Sequence, residues 1–172
     1  GSIKLDKEET KKTLKTIPRS SIIGFIVGVL PGAGSTIASF LAYGMERNFV
    51  NKEEKEKFGK GSVHGLAAPE TANNAACSGS FVPLLTLGIP GSGTTAVMLG
   101  ALLGFGIQPG PRLYMTNPEI FWSVIMSMYI GMVILLILNL PLIPYIARIL
   151  AVPRTFLIPM ILFFSVTGIY LM

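Results

Sequence analysis

The sequence predicts an all-α integral membrane protein, and three observations carry this prediction. Hydrophobic residues make up 51% of the 172 residues and charged residues only 13%, whereas soluble domains carry about 25% charged residues. The charges are segregated, and the uncharged stretches are 26, 41, 28 and 18 residues long, against the roughly 20 apolar residues that a spanning helix needs. A soluble core helix would show polar positions at a helical period, and the segment IFWSVIMSMYIGMVILLILNL has none. The uncharged stretches are Ser20–Met45, Thr71–Pro111, Ile120–Ala147 and Thr155–Met172.

The first 21 residues are predicted to form a polar segment, with an amphipathic helix at residues 3–19 that leads to the membrane. Gly1 and Ser2, without a starting Met, indicate a cloning scar or an internal fragment. The net charge of +5 does not indicate nucleic-acid binding, because Lys and Glu alternate as on a solvated helix and no aromatic residues are interleaved with a basic patch. Basic flanks of membrane segments tend to be cytoplasmic, so we expect a multi-pass membrane protein whose basic flanks face the cytoplasm.

A transport core is predicted at residues 22–111, and it begins with a membrane segment at Ile22–Tyr43 that is broken at Pro31–Gly34. A polar surface helix is expected at 46–60. Both flanks of the first segment are basic, which favours a re-entrant hairpin with both flanks cytoplasmic. A crossing, broken helix is the alternative.

The break recurs in a second apolar segment, Phe81–Ile107, which is interrupted at Pro90–Gly93. The two motifs, PGAGST and PGSGTT, lie 59 residues apart and match at five of six positions if Ser and Thr are counted together. A turn-rich loop, QPGPRLYMTNPE, is predicted at residues 108–119, and C-terminal transmembrane helices are predicted at 112–172. Glu119–Leu140 is expected to be a plain spanning helix that Pro141 and Pro144 kink or end, and Pro153–Met172 a further apolar segment.

Pro-Gly-x-Gly breaks are costly in lipid, because each unpaired backbone group there costs several kcal/mol. Glycine permits positive φ, and a hydroxyl at Ser35 or Thr36 can cap the restarted helix. The helix N-terminus then offers N–H groups to an anion, and the freed carbonyls near Pro31 and Pro90 can hold Na⁺. A kink that serves only packing is the alternative. The predicted substrate- or ion-binding residues are Gly32, Gly34, Ser35, Thr36, Asn73, Asn74, Gly91, Ser92, Gly93, Thr94 and Thr95.

The remaining polar residues of the core leave several roles open. Glu70 is predicted to be either a coupling carboxylate or a helix cap, and Asn73 and Asn74 either ligands or interhelical hydrogen-bonding groups. His64 is expected to be interfacial and structural, and Cys77 a packed thiol. One His and one Cys assemble neither a catalytic triad nor a multi-Cys metal site, so we predict no enzyme activity, no cofactor and no metal centre.

These motifs and their order resemble the large membrane subunit of the tripartite tricarboxylate transporter family. The similarity is carried by GFIVGVLPGAGSTIASFLAYGMER and by FGKGSVHGLAAPETANNAACSGSFVPLLTLGIPGSGTTAVMLGALLGFGIQPGP. The chain is similar to the C-terminal half of that subunit, which implies one half of an inverted-repeat secondary transporter. Both Pro-Gly motifs and the APETANN stretch, Ala68–Asn74, belong to the family's signature segments.

The resemblance implies uptake of di- or tricarboxylates by symport with Na⁺ or H⁺ as the coupling ion. It also implies a small membrane subunit and a periplasmic substrate-binding protein as partners. Two alternatives from other classes are a channel subunit whose broken segments form a static filter, and a structural membrane scaffold.

Overall fold

The computed structural model describes residues 5–149 and 153–171, and all regular secondary structure in these ranges is α-helical. Residues 1–4, 150–152 and 172 of the predicted segments lie outside the described residues. The chain divides into two compact units, Gly1–Ser123 and Val124–Met172. The helices are α1 (Lys7–Val29), α2 (Gly34–Phe49), α3 (Lys52–Glu56), α4 (Val63–Gly79), α5 (Phe81–Leu87), α6 (Gly93–Gly104), α7 (Leu113–Thr116), α8 (Pro118–Ile149) and α9 (Arg154–Leu171).

Helix α1 joins the predicted polar helix and the first half of the first membrane segment in one element. It starts at a capping box, in which the Asp6 side chain accepts from the Glu9 N–H at 2.7 Å and the Glu9 carboxylate accepts from the Asp6 N–H at 3.0 Å. This reciprocal pair satisfies two N–H groups that a helix start leaves unpaired. The helix continues through Pro18 and ends at Val29, just before Pro31.

Helices α1 and α2 form an antiparallel hairpin whose turn is the first Pro-Gly motif. Near the open end of the hairpin, Arg19 on α1 lies 2.6 Å from Glu46 on α2. Still further from the turn, the Lys12 ammonium lies 3.2 Å from the Glu54 carboxylate on α3. The two basic flanks of the predicted first membrane segment are therefore in direct contact.

The predicted surface helix at 46–60 is wrong in two respects. Helix α2 continues to Phe49, and a new helix, α3, begins at Lys52 after Asn51, whose side chain caps it by accepting from the Glu54 N–H. Glu46 is only 2% exposed, because it belongs to the inner face of α2 that also buries Ala38 and Ala42.

Helix α4 packs tightly against the hairpin through residues of very small volume. Ala68, Ala72 and Ala76 are at most 2% exposed. A Cβ added at Gly24 would clash with the backbone of Ala72, and one added at Gly28 with that of Ala76. Such small residues at four-residue spacing let helix backbones approach closely, as in membrane helix pairs. This close contact makes α1, α2 and α4 one bundle, in which the first Pro-Gly motif is the turn between α1 and α2.

The second motif connects α5 to α6. Helix α5 ends at Gly88 in a left-handed conformation (φ 69°), where the Gly88 N–H donates to the Leu84 carbonyl. The chain after α6 returns to this turn, since the Gly110 N–H donates to the Leu85 carbonyl at 3.2 Å and a Cβ at Gly88 would lie 2.8 Å from the Pro109 carbonyl oxygen. The predicted turn-rich loop here contains the short helix α7.

Helix α8 does not end at Pro141 or Pro144 but runs through both to Ile149. Within the described ranges it is the one helix long and apolar enough to cross a membrane, over Pro118–Ala147. The most apolar part of this span has a mean hydropathy of 2.4, and none of it is buried inside the protein. The predicted segment from Pro153 forms α9, which also contains a proline, Pro159.

Candidate functional site

The two Pro-Gly motifs lie together and line one open cleft of about 530 Å³. Small-molecule sites occupy roughly 300–1,000 Å³, so the cleft has room for a small solute. None of the described residues that line it is charged. Its lining residues are Gly32, Gly34, Ser35, Thr36, Pro90, Gly91, Ser92, Gly93 and Ala96.

The first loop depends on backbone freedom. Gly32 and Gly34 have φ values of 82° and 70°, in the left-handed region that residues with a Cβ rarely adopt. Nothing lies within 4 Å of a Cβ built at either position. The N-cap of α2 is Ala33, which has no side-chain oxygen, so the predicted capping by Ser35 or Thr36 is wrong. Helix α2 therefore starts in the cleft without a side-chain cap.

The second loop depends on close approach and on capping. Gly91 has no positive φ, but a Cβ there would lie 3.1 Å from the Ser80 Cβ and 3.5 Å from the Gly28 carbonyl oxygen. Ser92 caps α6 through a capping box with Thr95, in which the Ser92 hydroxyl accepts from the Thr95 N–H and the Thr95 hydroxyl accepts from the Ser92 N–H at 2.8 Å. This start is rigid, and Thr95 is only 2% exposed.

The hydroxyl groups around the cleft divide into engaged and available ones. Ser92 and Thr95 bond to each other and to the backbone of their own turn. Within the described part of the chain, the hydroxyls of Ser35, Thr36 and Thr94 make no hydrogen bond. These three can donate to an anion without losing an existing partner.

A smaller pocket of about 110 Å³ lies beside the cleft. It shares Gly34, Ser35 and Ser92 with the cleft and adds Thr94 and Thr95, so all the predicted residues of both motifs border one of the two cavities. Its remaining lining residues are Ala76, Cys77, Ser80 and Phe81. Cys77 is exposed, so its prediction as a packed thiol is wrong: the closely packed face of α4 carries Ala72 and Ala76 instead.

Glu70, Asn73 and Asn74 lie on α4 and do not line the cleft. Glu70 is exposed in the middle of the helix, which rules out the predicted capping role and leaves its coupling role untested. The Asn74 amide donates to the Glu70 carbonyl at 2.9 Å, a bond within α4. The Asn73 side-chain oxygen accepts from the Cys77 thiol at 3.8 Å, one turn from the small pocket. Among the described residues, no three His, Cys, Asp or Glu side chains are grouped to hold a metal ion.

A buried polar cluster at the open end of the hairpin was missed by the sequence reasoning. Glu46 Oε1 lies 2.9 Å from Thr16 Oγ1, 2.6 Å from Arg19 Nη2 and 3.1 Å from His64 Nδ1. His64 is 6% exposed and therefore buried rather than interfacial. The sequence does contain a signal, because small or buried residues repeat every four positions on the three helix faces involved. They are Thr16, Ser20, Gly24 and Gly28; Ala38, Ala42 and Glu46; and His64, Ala68, Ala72 and Ala76.

Outside this cluster, a partly exposed ionic network joins α1 to α3. The hydrogen bond from Lys57, together with that from Lys12, holds the pKa of the Glu54 carboxyl below its ordinary value. Hydrogen bonds to Glu8 and Glu54 correspondingly raise the pKa of Lys12. The Lys12 and Lys57 side chains keep 23% and 45% of their surface open to solvent, so solvent screens the interaction and it adds little to stability.

Comparison with known proteins identifies the lineage of this chain. The model of the tripartite tricarboxylate transporter TctA family matches residues 1–172. The chain belongs to this family. The family is one of transporters and not of enzymes, in agreement with the absence of a predicted catalytic group.

Two relatives come from Agrobacterium vitis. An uncharacterized 52.8 kDa protein from the TAR-I ttuC' 3' region is 45% identical over 166 residues, which cover 96% of this chain and 33% of that protein. An uncharacterized protein from the TAR-II ttuC' 3' region is 47% identical over 147 residues, which cover 86% of this chain and 60% of that protein. The chain thus spans about a third and three fifths of these relatives. No solved structure matches it.

Proposed function

We propose that the chain is part of a multi-pass inner-membrane permease subunit that takes up small organic anions, di- or tricarboxylates, by symport with Na⁺ or H⁺. Membership of the transporter family supports this assignment. The observation that carries it is the shared cleft of the two Pro-Gly loops, because irregular backbone at membrane depth is tolerated only where it is buried in protein or lines an aqueous cavity.

The cleft suits an anion without containing a basic side chain. Helices α2 and α6, of 16 and 12 residues, both begin at its edge. Each helix N-terminus carries about half a positive charge and unpaired N–H groups. The free hydroxyls of Ser35, Thr36 and Thr94 add donors beside them. A carboxylate held in this way can also be released, since no fixed Lys or Arg neutralises it.

In this proposal the α1–α2 hairpin is re-entrant. The contact between Lys12 and Glu54 supports this topology, because it holds the two flanks of the hairpin together. Large apolar side chains cover the outside of the hairpin and also support it. Ile22, Ile26, Ile37 and Phe40 are 63%, 59%, 50% and 74% exposed, as expected of residues that face lipid. A hairpin broken at mid-depth with its turn in a cavity matches the discontinuous helices of secondary transporters.

A coupling cation, a small membrane subunit and a periplasmic substrate-binding protein complete the proposed system. Their support is the family's description as tripartite. Na⁺ could bind the carbonyl groups near Pro31 and Pro90, where its charge would offset that of the solute.

Uptake of radiolabelled di- and tricarboxylates by the full-length subunit with its partners tests the proposal. We expect saturable, gradient-dependent uptake that Thr36→Val and Thr94→Val weaken about 10- to 150-fold in affinity, as for the loss of a hydrogen bond to a charged group. Thr86→Val is the matched control, because this exposed hydroxyl on α5 donates only to its own helix at the Val82 carbonyl. Unsaturable conductance would indicate a channel, and unchanged affinity in both variants would contradict the proposed site.

A further inference from the structure

The buried cluster at the open end of the hairpin joins three helices through a single carboxylate oxygen. Glu46 Oε1 on α2 contacts Thr16 and Arg19 on α1 and His64 on α4. Thr16 Oγ1 also lies 2.7 Å from His64 Nδ1 and 3.1 Å from the Lys12 carbonyl oxygen. Thr16 is 0% exposed and Glu46 2%, so water does not separate these groups.

The donors and acceptors around the His64 imidazole determine which of its nitrogens carries a hydrogen. The ionised Glu46 and the Lys12 carbonyl only accept hydrogen bonds, and the Thr16 hydroxyl has one hydrogen to give. A lone pair on His64 Nδ1 would face the carboxylate oxygen at 3.1 Å, which is repulsive. Nδ1 therefore carries a hydrogen that it donates to Glu46 or Thr16, and Nε2 is the nitrogen that gains or loses a proton.

The charged groups around the imidazole come from each packed helix. Helix α2 supplies Glu46, which favours a proton on the ring, and α1 supplies Arg19, which opposes it. The Lys12 ammonium is directed to Glu8 and Glu54 instead. Helix α5 carries no titratable side chain, and Glu70 lies exposed on α4. The imidazole and the Arg19 guanidinium therefore share the same carboxylate oxygen of Glu46.

Stability alone is a poor explanation of this cluster. A buried ion pair often contributes less than well-packed apolar residues of the same volume. Two polar atoms beside it, Arg19 Nε and Ser20 Oγ, are buried without a partner among the described residues. Unsatisfied buried polar atoms in a native structure call for an explanation, and a functional change of state provides one.

The three helices connect the cluster to the cleft. Helix α4 extends from His64 to Ala76 and Ser80 at the small pocket, about 18–24 Å at 1.5 Å per residue. Helix α1 extends from Thr16 to Gly28, whose carbonyl lies beside Gly91, and α2 extends back from Glu46 to Gly34 in the cleft. A change in how firmly the helices meet at one end is therefore transmitted along rigid elements to the loops at the other.

We propose that Thr16, Glu46 and His64 form a proton-binding site whose occupancy controls how tightly α4 is held against the hairpin, and hence the solute affinity of the cleft. The proposal rests on the proposed function and names its coupling ion. His64 Nε2 takes a proton from the aqueous phase, and the imidazolium forms an ion pair with Glu46. On release of the proton to water, the neutral ring keeps only its Nδ1–H hydrogen bond.

The test compares the pH dependence of carboxylate binding and uptake by the full-length subunit with that of two histidine variants. His64→Asn places an amide N–H₂ where Nδ1 lies and removes the titratable ring, and His64→Gln is a second variant if the first folds poorly. We expect the wild type to bind solute about 5- to 150-fold more tightly at pH 5.5 than at pH 7.5, the usual range for coupling between two sites. In the variants this difference should disappear while solute exchange continues.

The matched control is Lys15→Gln, an exposed charge on α1 outside the cluster, which should keep the wild-type profile. An unchanged pH profile of carboxylate binding in both His64 variants overturns the proton site and leaves the proposed function standing. Carboxylate uptake that depends on Na⁺ and not on pH has the same consequence. If the wild type binds no carboxylate, the proposed function fails. The proton site is then tested by thermal unfolding, where the wild type must gain stability relative to His64→Asn between pH 7.5 and 5.5.

Discussion

The two Pro-Gly loops have nearly the same sequence but are built by different means. The first is open: its glycines have positive φ, its helix has no side-chain cap and its hydroxyls are free. The second loop is closed. The absence of a Cβ at Gly91 permits close packing against Ser80 and Gly28, and the Ser92 and Thr95 hydroxyls form a capping box. The aligned position at which the motifs differ in kind, Ala33 against Ser92, is the N-cap of each helix. Among the described residues, the first loop therefore has two free hydroxyls and an uncapped helix start, whereas the second loop is rigid and has one free hydroxyl, that of Thr94.

The largest expected effect concerns the close contact between α1 and α4, where Gly28 lies against Ala76. Gly28→Ala would push a Cβ into the backbone of Ala76, whereas Gly44→Ala on α2 meets nothing within 4 Å. We expect Gly28→Ala to lower the free energy of unfolding by about 1–3 kcal/mol through overpacking. Gly44→Ala should raise it by up to about 1 kcal/mol through helix propensity. Equal effects of these identical substitutions, measured by denaturation of the full-length protein in detergent, would contradict the close α1–α4 contact.

Substitutions of the loop glycines should abolish uptake for a different reason in each loop. Gly32→Val and Gly91→Val are both expected to abolish uptake. At Gly32 the cause is left-handed backbone, which costs residues with a Cβ about 1–2 kcal/mol, so Gly32→Asn should retain more uptake than Gly32→Ala. At Gly91 the cause is the Ser80 Cβ at 3.1 Å, so Ser80→Gly should restore uptake to Gly91→Ala. If Ser80→Gly rescued Gly32→Ala instead, the assignment of causes would be reversed.

Removing one serine hydroxyl from each loop should separate stability from solute affinity. Ser92→Ala breaks the capping box of α6 and should lower the free energy of unfolding by about 0.5–2 kcal/mol. Ser35→Ala removes a hydroxyl without a hydrogen-bond partner in the described part of the chain, so it should leave stability unchanged and weaken solute binding. Thermal unfolding and equilibrium solute binding on both variants make the comparison. Equal loss of stability in both would mean that the first loop is also capped.

The smallest effect is expected far from both loops, at the ionic contact of α3 with α1. The Glu54 pKa is held below its ordinary value near 4.5, chiefly by the hydrogen bond from Lys57. The ionised Glu54 carboxylate therefore contributes to the free energy of unfolding above pH 4.5, and this contribution is lost as the pH falls through the depressed pKa of Glu54 in the folded state. We expect Glu54→Gln to remove this acid dependence from the unfolding midpoint, added salt to weaken it, and solute affinity at neutral pH to stay constant. A changed affinity would show that α3 acts on the cleft.

The sequence reasoning located the two loops but not their difference. Proline without an N–H and adjacent glycines interrupt a helix in any environment, so the breaks at Pro31 and Pro90 followed from local chemistry. Capping depends on the residue at which the helix restarts, and α2 starts one residue before Ser35, at Gly34. That register is decided by the packing of α2 on α4, which local sequence does not encode.

The buried cluster shows a second limit of the same kind. Glu46 and His64 lie 18 residues apart in sequence and meet only because the hairpin and α4 pack in one particular register. The four-residue repeat of small residues before Glu46 and after His64 marks the faces on which they lie. Glu46 was nevertheless predicted to lie in a surface helix at 46–60, because Lys and Glu alternate there as on a solvated helix.

Solute protection of Cys77 tests most directly whether the two loops form one binding site. This thiol, the one cysteine of the chain, lines the small pocket beside Ser92, Thr94 and Thr95. In the full-length subunit with Cys77→Ser as the labelling control, a maleimide reagent should modify Cys77, and a saturating carboxylate substrate should slow this modification. Protection should weaken in Thr36→Val, a change in the opposite loop, in proportion to its loss of affinity. Labelling at the same rate with and without a solute that is demonstrably transported would contradict the shared site.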